Sequence, residues 1–164
     1  MILELHHVTI EPCIHELSLT ATSGTMACIT GRASSGKTTL LRAVLGLIPI
    51  DGGHISIDGE LLTPHSAPYF RRMTAYVPQH LSLPEGYDGM GLEQWGELSG
   101  DERYLLLLRN AVATHKPLLV VDEPPAMLAA DTALTVDSLL KEASSAGTAV
   151  LAVNSRILQN QIHL

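Results

Sequence analysis

The chain has 164 residues, enough for one domain with a core of its own. Hydrophobic residues make up 46% and charged residues 16%, which is a globular composition and not a disordered one. A formal net charge of −7 leaves no basic stripe to neutralise a phosphate backbone, so nucleic acid is excluded as a main partner. No apolar run reaches the length of a membrane span. The start, Met1-Ile-Leu-Glu-Leu-His-His, lacks the basic-then-apolar pattern of a secretion signal. Cys13 and Cys28 have no C-x-x-C spacing and are expected to be reduced, partly buried thiols of a cytosolic protein. The histidines are scattered, and His6-His7 has no zinc-type spacing with another His or Cys.

In chain order, Leu3 to Thr9 and His15 to Thr20 have strand character, and Ser23-Gly24 marks a turn. Met26 to Thr30 is a short buried strand. Gly31-Arg32-Ala33-Ser34-Ser35-Gly36-Lys37-Thr38-Thr39 follows it and fits G-x-x-x-x-G-K-[ST], the phosphate-binding loop of nucleotide hydrolases. A helix from Thr38 to Leu47, with Leu40, Leu41, Val44 and Leu45 along one face, completes the strand–loop–helix context that the motif needs. Successive backbone N–H groups there can wrap an anion, and the helix start adds partial positive charge. Lys37 is placed to reach the β- and γ-phosphates, and Thr38 to put its hydroxyl on Mg²⁺. The chain has few lysines besides this one, only Lys116 and Lys141.

A break at Ile48 to Gly53 precedes a strand from His54 to Asp58, which ends in the tight-turn pair Asp58-Gly59. Leu61 to Arg72 is polar and broken by Pro, Thr74 to Val77 is a short strand, and Pro78 to Gln94 is mostly loop. Gly100 to Thr114 is a helix with Tyr104, Leu105, Leu107, Leu108, Ala111 and Val112 available for burial. Leu118-Leu-Val-Val-Asp122-Glu123-Pro124 is an apolar strand ending in two acids. Asp122 is placed to hold the metal through water, and Glu123 to polarise an attacking water as a general base. Asp131 to Ala146 is an amphipathic helix stopped by Gly147. Thr148 to Val153 is a buried strand, and Leu158 to Leu164 is a candidate terminal strand. Strands alternating with helices predict an α/β fold with a mostly parallel central sheet.

Taken in order, these segments resemble the ATP-binding cassette ATPase of ABC transporters along nearly the whole chain. The phosphate loop is followed by Asp51-Gly-Gly-His-Ile-Ser-Ile-Asp-Gly59, by Tyr76-Val-Pro-Gln79, which is similar to the glutamine loop, and by Leu98-Ser-Gly-Asp-Glu102, which is similar to the Leu-Ser-Gly-Gly-Gln signature. The acid-ended strand comes last. The resemblance implies a P-loop NTPase with a small antiparallel β part at the N-terminus and flanking helices. It implies ATP and Mg²⁺ as ligands, with Gln79 sensing the metal and the attacking water. Ser99 and Gly100 would bind the γ-phosphate of ATP held by a second cassette, in a homo- or heterodimer. Membrane-spanning subunits would be the other partners, and the chain would work in the cytoplasm, peripheral on the inner face of the cell membrane. Residues 1–164 are expected to form a single ATP-binding domain with a reduced helical and signature region at about 80–115.

The chain departs from the family pattern at several positions. Only eighteen residues, 80–97, separate Gln79 from the signature, where the family carries a helical subdomain. Asp101 replaces a glycine. Facing a partner's phosphate at about 4 Å, its carboxylate would cost about 4 kcal/mol at an effective dielectric near 20. Alternatively, Ser99 to Glu102 is a capping box that starts a helix. Asn154 stands at the switch histidine; it can hydrogen-bond a phosphate oxygen but cannot carry a proton's charge. Ala129 occupies the position of an aspartate, for which Asp131 could substitute only if the loop runs two residues longer, and Ile10 to Ile14 offers no aromatic to stack on adenine. Two functions follow. One is an ATPase subunit that powers transport, with brisk turnover by the chain alone not expected. The other is a non-catalytic nucleotide-binding module that regulates assembly with a partner.

Overall fold

The computed structural model describes residues 1–32, 34–79, 95–122 and 128–153, and the backbone of 161–163. In chain order the elements are β1 (Ile2–Ile10), β2 (Ile14–Thr22), β3 (Met26–Thr30), α1 (Lys37–Val44), β4 (Gly52–Ile57), β5 (Glu60–Leu61), α2 (Ala67–Arg72) and β6 (Thr74–Val77). After these come α3 (Gly100–Ala113), β7 (Leu118–Val121), α4 (Ala130–Ser145), β8 (Ala149–Val153) and β9 (Gln161–His163). They form two sheets. One is antiparallel, in the order β2-β1-β4-β5; the other is parallel, in the order β6-β7-β8-β3-β9.

In the parallel sheet, β7 and β8 are apolar at every position because both of their faces are covered. Side chains alternate between those faces. Leu118, Val120, Ala149, Leu151 and Val153 join a core with Leu40, Leu41 and Val44 of α1 and with the inner face of the antiparallel sheet. Leu119, Val121, Val150 and Ala152 join a second core with Tyr104, Leu107 and Leu108 of α3 and with Val136, Leu140 and Ala143 of α4. The expected architecture, a parallel sheet flanked by helices with an antiparallel part at the N-terminus, is therefore present.

Three local expectations need correction. The helix after the phosphate loop ends at Val44, not at Leu47. Gly46 adopts φ 63°, its N–H bonds the Ala43 carbonyl and the Leu47 N–H bonds the Arg42 carbonyl, which together make a Schellman stop. The stretch from Leu61 to Arg72 is not simply polar and broken. It holds α2, and Pro68 lies in the first turn of that helix, where a missing N–H costs nothing. The turn expected at Asp58-Gly59 is present, with φ 51° and 78°, and leads into the short β5, which pairs back on β4. Finally, the two cysteines are not both partly buried: Cys28 is buried and Cys13 is exposed. Of the Pro78 to Gln94 loop, residues 80–94 lie outside the described residues. Among the described residues, no helix is long and apolar enough to cross a membrane.

Candidate functional site

In a parallel sheet, ligands gather beyond the carboxyl ends of the strands. Here β3 delivers the phosphate loop and β7 delivers Asp122, with β8 between them. The loop turns through Ser34 at φ 64° and Gly36 at φ 88°, conformations that successive L-residues seldom adopt. Gly36 is required for a second reason. A Cβ built on it would sit 2.6 Å from Cβ of Cys13, because the β1–β2 turn lies against the loop. Helix α1 begins directly after it, and among the described residues no side chain caps its first turn and no acid lies there, an arrangement that suits an anion at the helix start.

Lys37 is buried, with its Nζ donating to the carbonyls of Gly31 at 2.8 Å and Arg32 at 2.7 Å. The ammonium is thus held inside the arc of its own loop. The Oγ of Ser35 and, at the end of β3, the Oγ1 of Thr30 are buried hydroxyls with no hydrogen-bond partner among the described residues. Buried hydroxyls left this way are costly, and phosphate oxygens are suitable partners for them. Thr38 and Asp122 meet across 84 positions of sequence, the Thr38 Oγ1 donating to Oδ1 of Asp122 at 3.2 Å. A hydroxyl beside a carboxylate is the hard oxygen donor set that Mg²⁺ takes, so the residues present fit the metal.

Asp122 is 1% exposed, and its surroundings supply partners for it. The Tyr76 hydroxyl donates to its Oδ2 at 3.4 Å, the Tyr104 hydroxyl to its carbonyl at 3.4 Å, and its own N–H reaches the Val77 carbonyl at 2.9 Å. Burial, then the nearby Asp122 charge, pushes the Tyr76 phenol up to about 12. The same two causes, in the same order, raise Tyr104. Sequence reasoning overlooked both tyrosines as site residues. For Tyr104 the available signal was a tyrosine on an otherwise apolar helix face, whose hydroxyl must find an acceptor once it is buried; Tyr76 is 38% exposed and carried no such signal.

Gln79 lies exposed just past the end of β6, two residues after Val77, whose carbonyl holds the Asp122 amide. Ser99 and Gly100 are exposed at the start of α3. The capping box is present there: Ser99 Oγ accepts the Glu102 N–H at 3.3 Å, and Glu102 Oε2 accepts the Ser99 N–H at 2.7 Å. The second of these bonds holds the Glu102 carboxyl below its ordinary value. Asp101 accepts the Ala129 N–H through Oδ2 at 2.9 Å. Arg32 and Thr39 lie in or beside the phosphate loop, whereas Ala33, Glu123 and Asn154 lie outside the described residues.

A family model described as ABC transporter matches residues 14–90. The zinc import ATP-binding protein of Cereibacter sphaeroides is 30% identical over 91% of this chain and 70% of its own length. The manganese transport system ATP-binding protein of Listeria innocua is 26% identical over 86% of this chain and 73% of its own. The Fe(3+) ions import ATP-binding protein of Pseudomonas fluorescens is 31% identical over 74% of this chain. The chain spans 45% of that iron protein and 50% of an aliphatic sulfonates import relative, about half the length of each. Among solved structures, an ATP-binding subunit of an ABC transporter superposes with TM-score 0.78 at 18% identity, covering 100% of this chain and 86% of that one. A dimeric ATP-binding cassette with ADP and phosphate bound superposes with TM-score 0.77 at 18% identity, covering 99% and 94%.

Proposed function

The chain belongs to the ATP-binding cassette ATPases of ABC transporters, and from that premise we propose that it binds Mg-ATP between the β3–α1 loop and Asp122 and hydrolyses it to power transport. The observation that carries this reading is the convergence of Lys37, Thr38 and Asp122 at the carboxyl ends of two parallel strands. Lys37 exchanges its carbonyl partners for β- and γ-phosphate oxygens, and the leading N–H groups of α1 and the Ser35 hydroxyl take further phosphate oxygens. Mg²⁺, when bound, offsets phosphate charge and would be held by Thr38 and Asp122, with Gln79 beside them. Glu123 accepts the proton of the attacking water, and Asn154 hydrogen-bonds the γ-phosphate.

The partners follow from the same premise. A second cassette presents its Ser99 and Gly100 to this nucleotide, and membrane-spanning subunits receive the work at the inner face of the membrane. Residues 1–164 act as one ATP-binding domain. Its signature helix α3 packs directly on β6 and α4, and this supports a reduced helical part. The test is equilibrium binding of Mg-ATP together with phosphate release. Wild type binds and turns over, Lys37→Ala loses binding, and Glu123→Gln keeps binding but loses turnover. Absence of binding at millimolar nucleotide would overturn the reading.

A further inference from the structure

The outer face of the antiparallel sheet carries a pair of imidazoles that strand register brings together. His6 on β1 and His54 on β4 are direct cross-strand partners, and their rings stack with centres 4.7 Å apart and planes at 21°. Side chains opposed in this way start about 4.5–5.5 Å apart, so both stand over the same part of the sheet. Glu4 and Ser56 form the neighbouring cross-strand pair. Glu4 places its Oε1 3.9 Å from Nε2 of His6, and its Oε2 accepts the Ser56 hydroxyl at 3.4 Å. His6 and Glu4 are partly exposed and His54 is exposed, so an ion in solution can reach them.

The backbone beneath the pair is fixed on both strands. The β1 register shifts just after His6, where His7 has φ 46° and donates its N–H to the Ser18 hydroxyl at 3.0 Å. Gly53, beside His54, has φ 73°, and a Cβ on it would lie 2.3 Å from the carbonyl oxygens of both His6 and His7. Only glycine lets β4 come this close to β1 here. Two donor groups on strands held in this way lose little freedom on binding a common ion.

We propose that His6 and His54 chelate one transition-metal dication of the zinc type, which ties β1 to β4 at a place separate from the nucleotide site. The spacing suits one ion. Zinc binds imidazole nitrogen at about 2.0–2.1 Å, and a further distance of about 1.1 Å leads to the ring centre. Two imidazoles on one ion, at an angle of roughly 90–109°, then have centres roughly 4.4–5.2 Å apart. The observed 4.7 Å lies within that range, so the rings need to turn but not to separate. Imidazole suits Zn²⁺, Ni²⁺ and Cu²⁺, whereas Mg²⁺ takes oxygen donors. Among the described residues no three or more side chains are grouped to hold an ion, so two imidazoles supply the protein ligands and water completes the shell. Glu4 is a positioning residue: a carboxylate beside a ligating imidazole orients the ring and raises its basicity.

The test is calorimetric titration of the nucleotide-free chain with Zn²⁺ in excess Mg²⁺, beside melting temperature as a function of Zn²⁺ concentration. Wild type binds Zn²⁺, and its melting temperature rises with Zn²⁺ because the ion holds only the paired strands. Glu4→Gln weakens binding by about tenfold, and His6→Gln and His54→Gln each weaken it by more than that. The double variant of His6→Gln and His54→Gln loses little beyond either single one, because one imidazole alone is no chelate. His15→Gln, at an exposed histidine of β2, binds as wild type does. Metal-free melting temperatures show that each variant is folded. A wild type with no Zn²⁺ response would overturn the proposal, and so would loss of binding to excess Mg²⁺. Undiminished affinity in His6→Gln and His54→Gln would also overturn it, and would move the ion to another group such as the exposed Cys13 thiol.

Discussion

Thr38 and Asp122, 84 positions apart, are joined by a hydrogen bond of 3.2 Å from hydroxyl to carboxylate. The bond links the start of α1 to the end of β7, so the two oxygen donors for a divalent cation are already side by side. A divalent cation held there, as proposed, would need little reorganisation of the protein to bind. Removing the hydroxyl with Thr38→Val leaves the carboxylate in place and takes away one ligand. The Mg²⁺ concentration needed for half-maximal nucleotide binding should rise by about tenfold, roughly 1.4 kcal/mol, the size of a hydrogen bond to a charged group. Asp122→Asn should raise it further, because it removes the negative charge as well. A Mg²⁺ titration of fluorescent-ATP binding measures both, and an unchanged midpoint in Asp122→Asn would place the metal elsewhere.

Lys37 is held by two carbonyls of its own loop, at 2.7 and 2.8 Å. In the proposed site, ATP would exchange these neutral acceptors for charged phosphate oxygens, and charge-assisted bonds are about twice as strong. Lys37→Ala removes that gain and also the group that holds the arc of the loop. ATP affinity should fall by at least about a hundredfold, or roughly 2.7 kcal/mol. Lys37→Arg should not rescue it, because a planar fork does not fit a site shaped around a compact ammonium. Calorimetric titration distinguishes these outcomes.

Much of this site was legible in the chain itself, because the phosphate loop is local. The residues from Gly31 to Thr39 are contiguous, and a strand before and a helix after them are periodic signals that need no tertiary information. Asp122 was legible for a similar reason, as the acid that ends an apolar strand. The bonds to Tyr76 and Tyr104 were not, because they depend on β6 pairing beside β7 and on α3 crossing the sheet. The contact of Asp101 with Ala129 was hidden for the same reason. Its local signal, a carboxylate in a helix's first turn, is fully explained by α3 alone. Helix α2 was obscured by Pro68, which breaks a helix interior but suits its first turn.

Gly36 meets two separable demands, a φ of 88° and a space that ends 2.6 Å away at Cβ of Cys13. Alanine at this position adds a steric penalty of about 1–2 kcal/mol from the left-handed conformation alone. That alone amounts to roughly 2–8 °C of Tm for a chain of this size. Gly36→Ala should therefore lower Tm beyond that range and weaken ATP binding. Pairing it with Cys13→Gly removes the 2.6 Å collision but leaves both the strain and a tight contact of 3.3 Å with Cγ1 of Ile14, so Tm should recover only in part. Full recovery would mean that packing against Cys13 alone selects glycine at this position, and no recovery would mean that this contact contributes nothing to the selection.

Cys28 lies wholly inside the sheet on β3, and burial, with a smaller contribution from Asp137, pushes its thiol up to about 11. Below about pH 9 the thiol is protonated in both the folded and the unfolded chain and adds no pH dependence. Above that, the unfolded chain releases the proton while the folded chain retains it. Stability is therefore present below the unfolded value and is lost as pH rises through the folded one. The slope is about 1.4 kcal/mol per pH unit across that window. Cys28→Ala removes the titrating group, so its denaturation midpoints should fall less steeply than wild type between pH 9 and 10. Cys13, by contrast, is exposed at the β1–β2 turn. Thiol labelling at pH 8 provides an independent check. One cysteine should react in the native protein, and the second only when denaturant unfolds it, because a buried neutral thiol is neither accessible nor nucleophilic. Rapid labelling of both in the native state would show that β3 opens on its own, and the stability argument from Cys28 would fail with it.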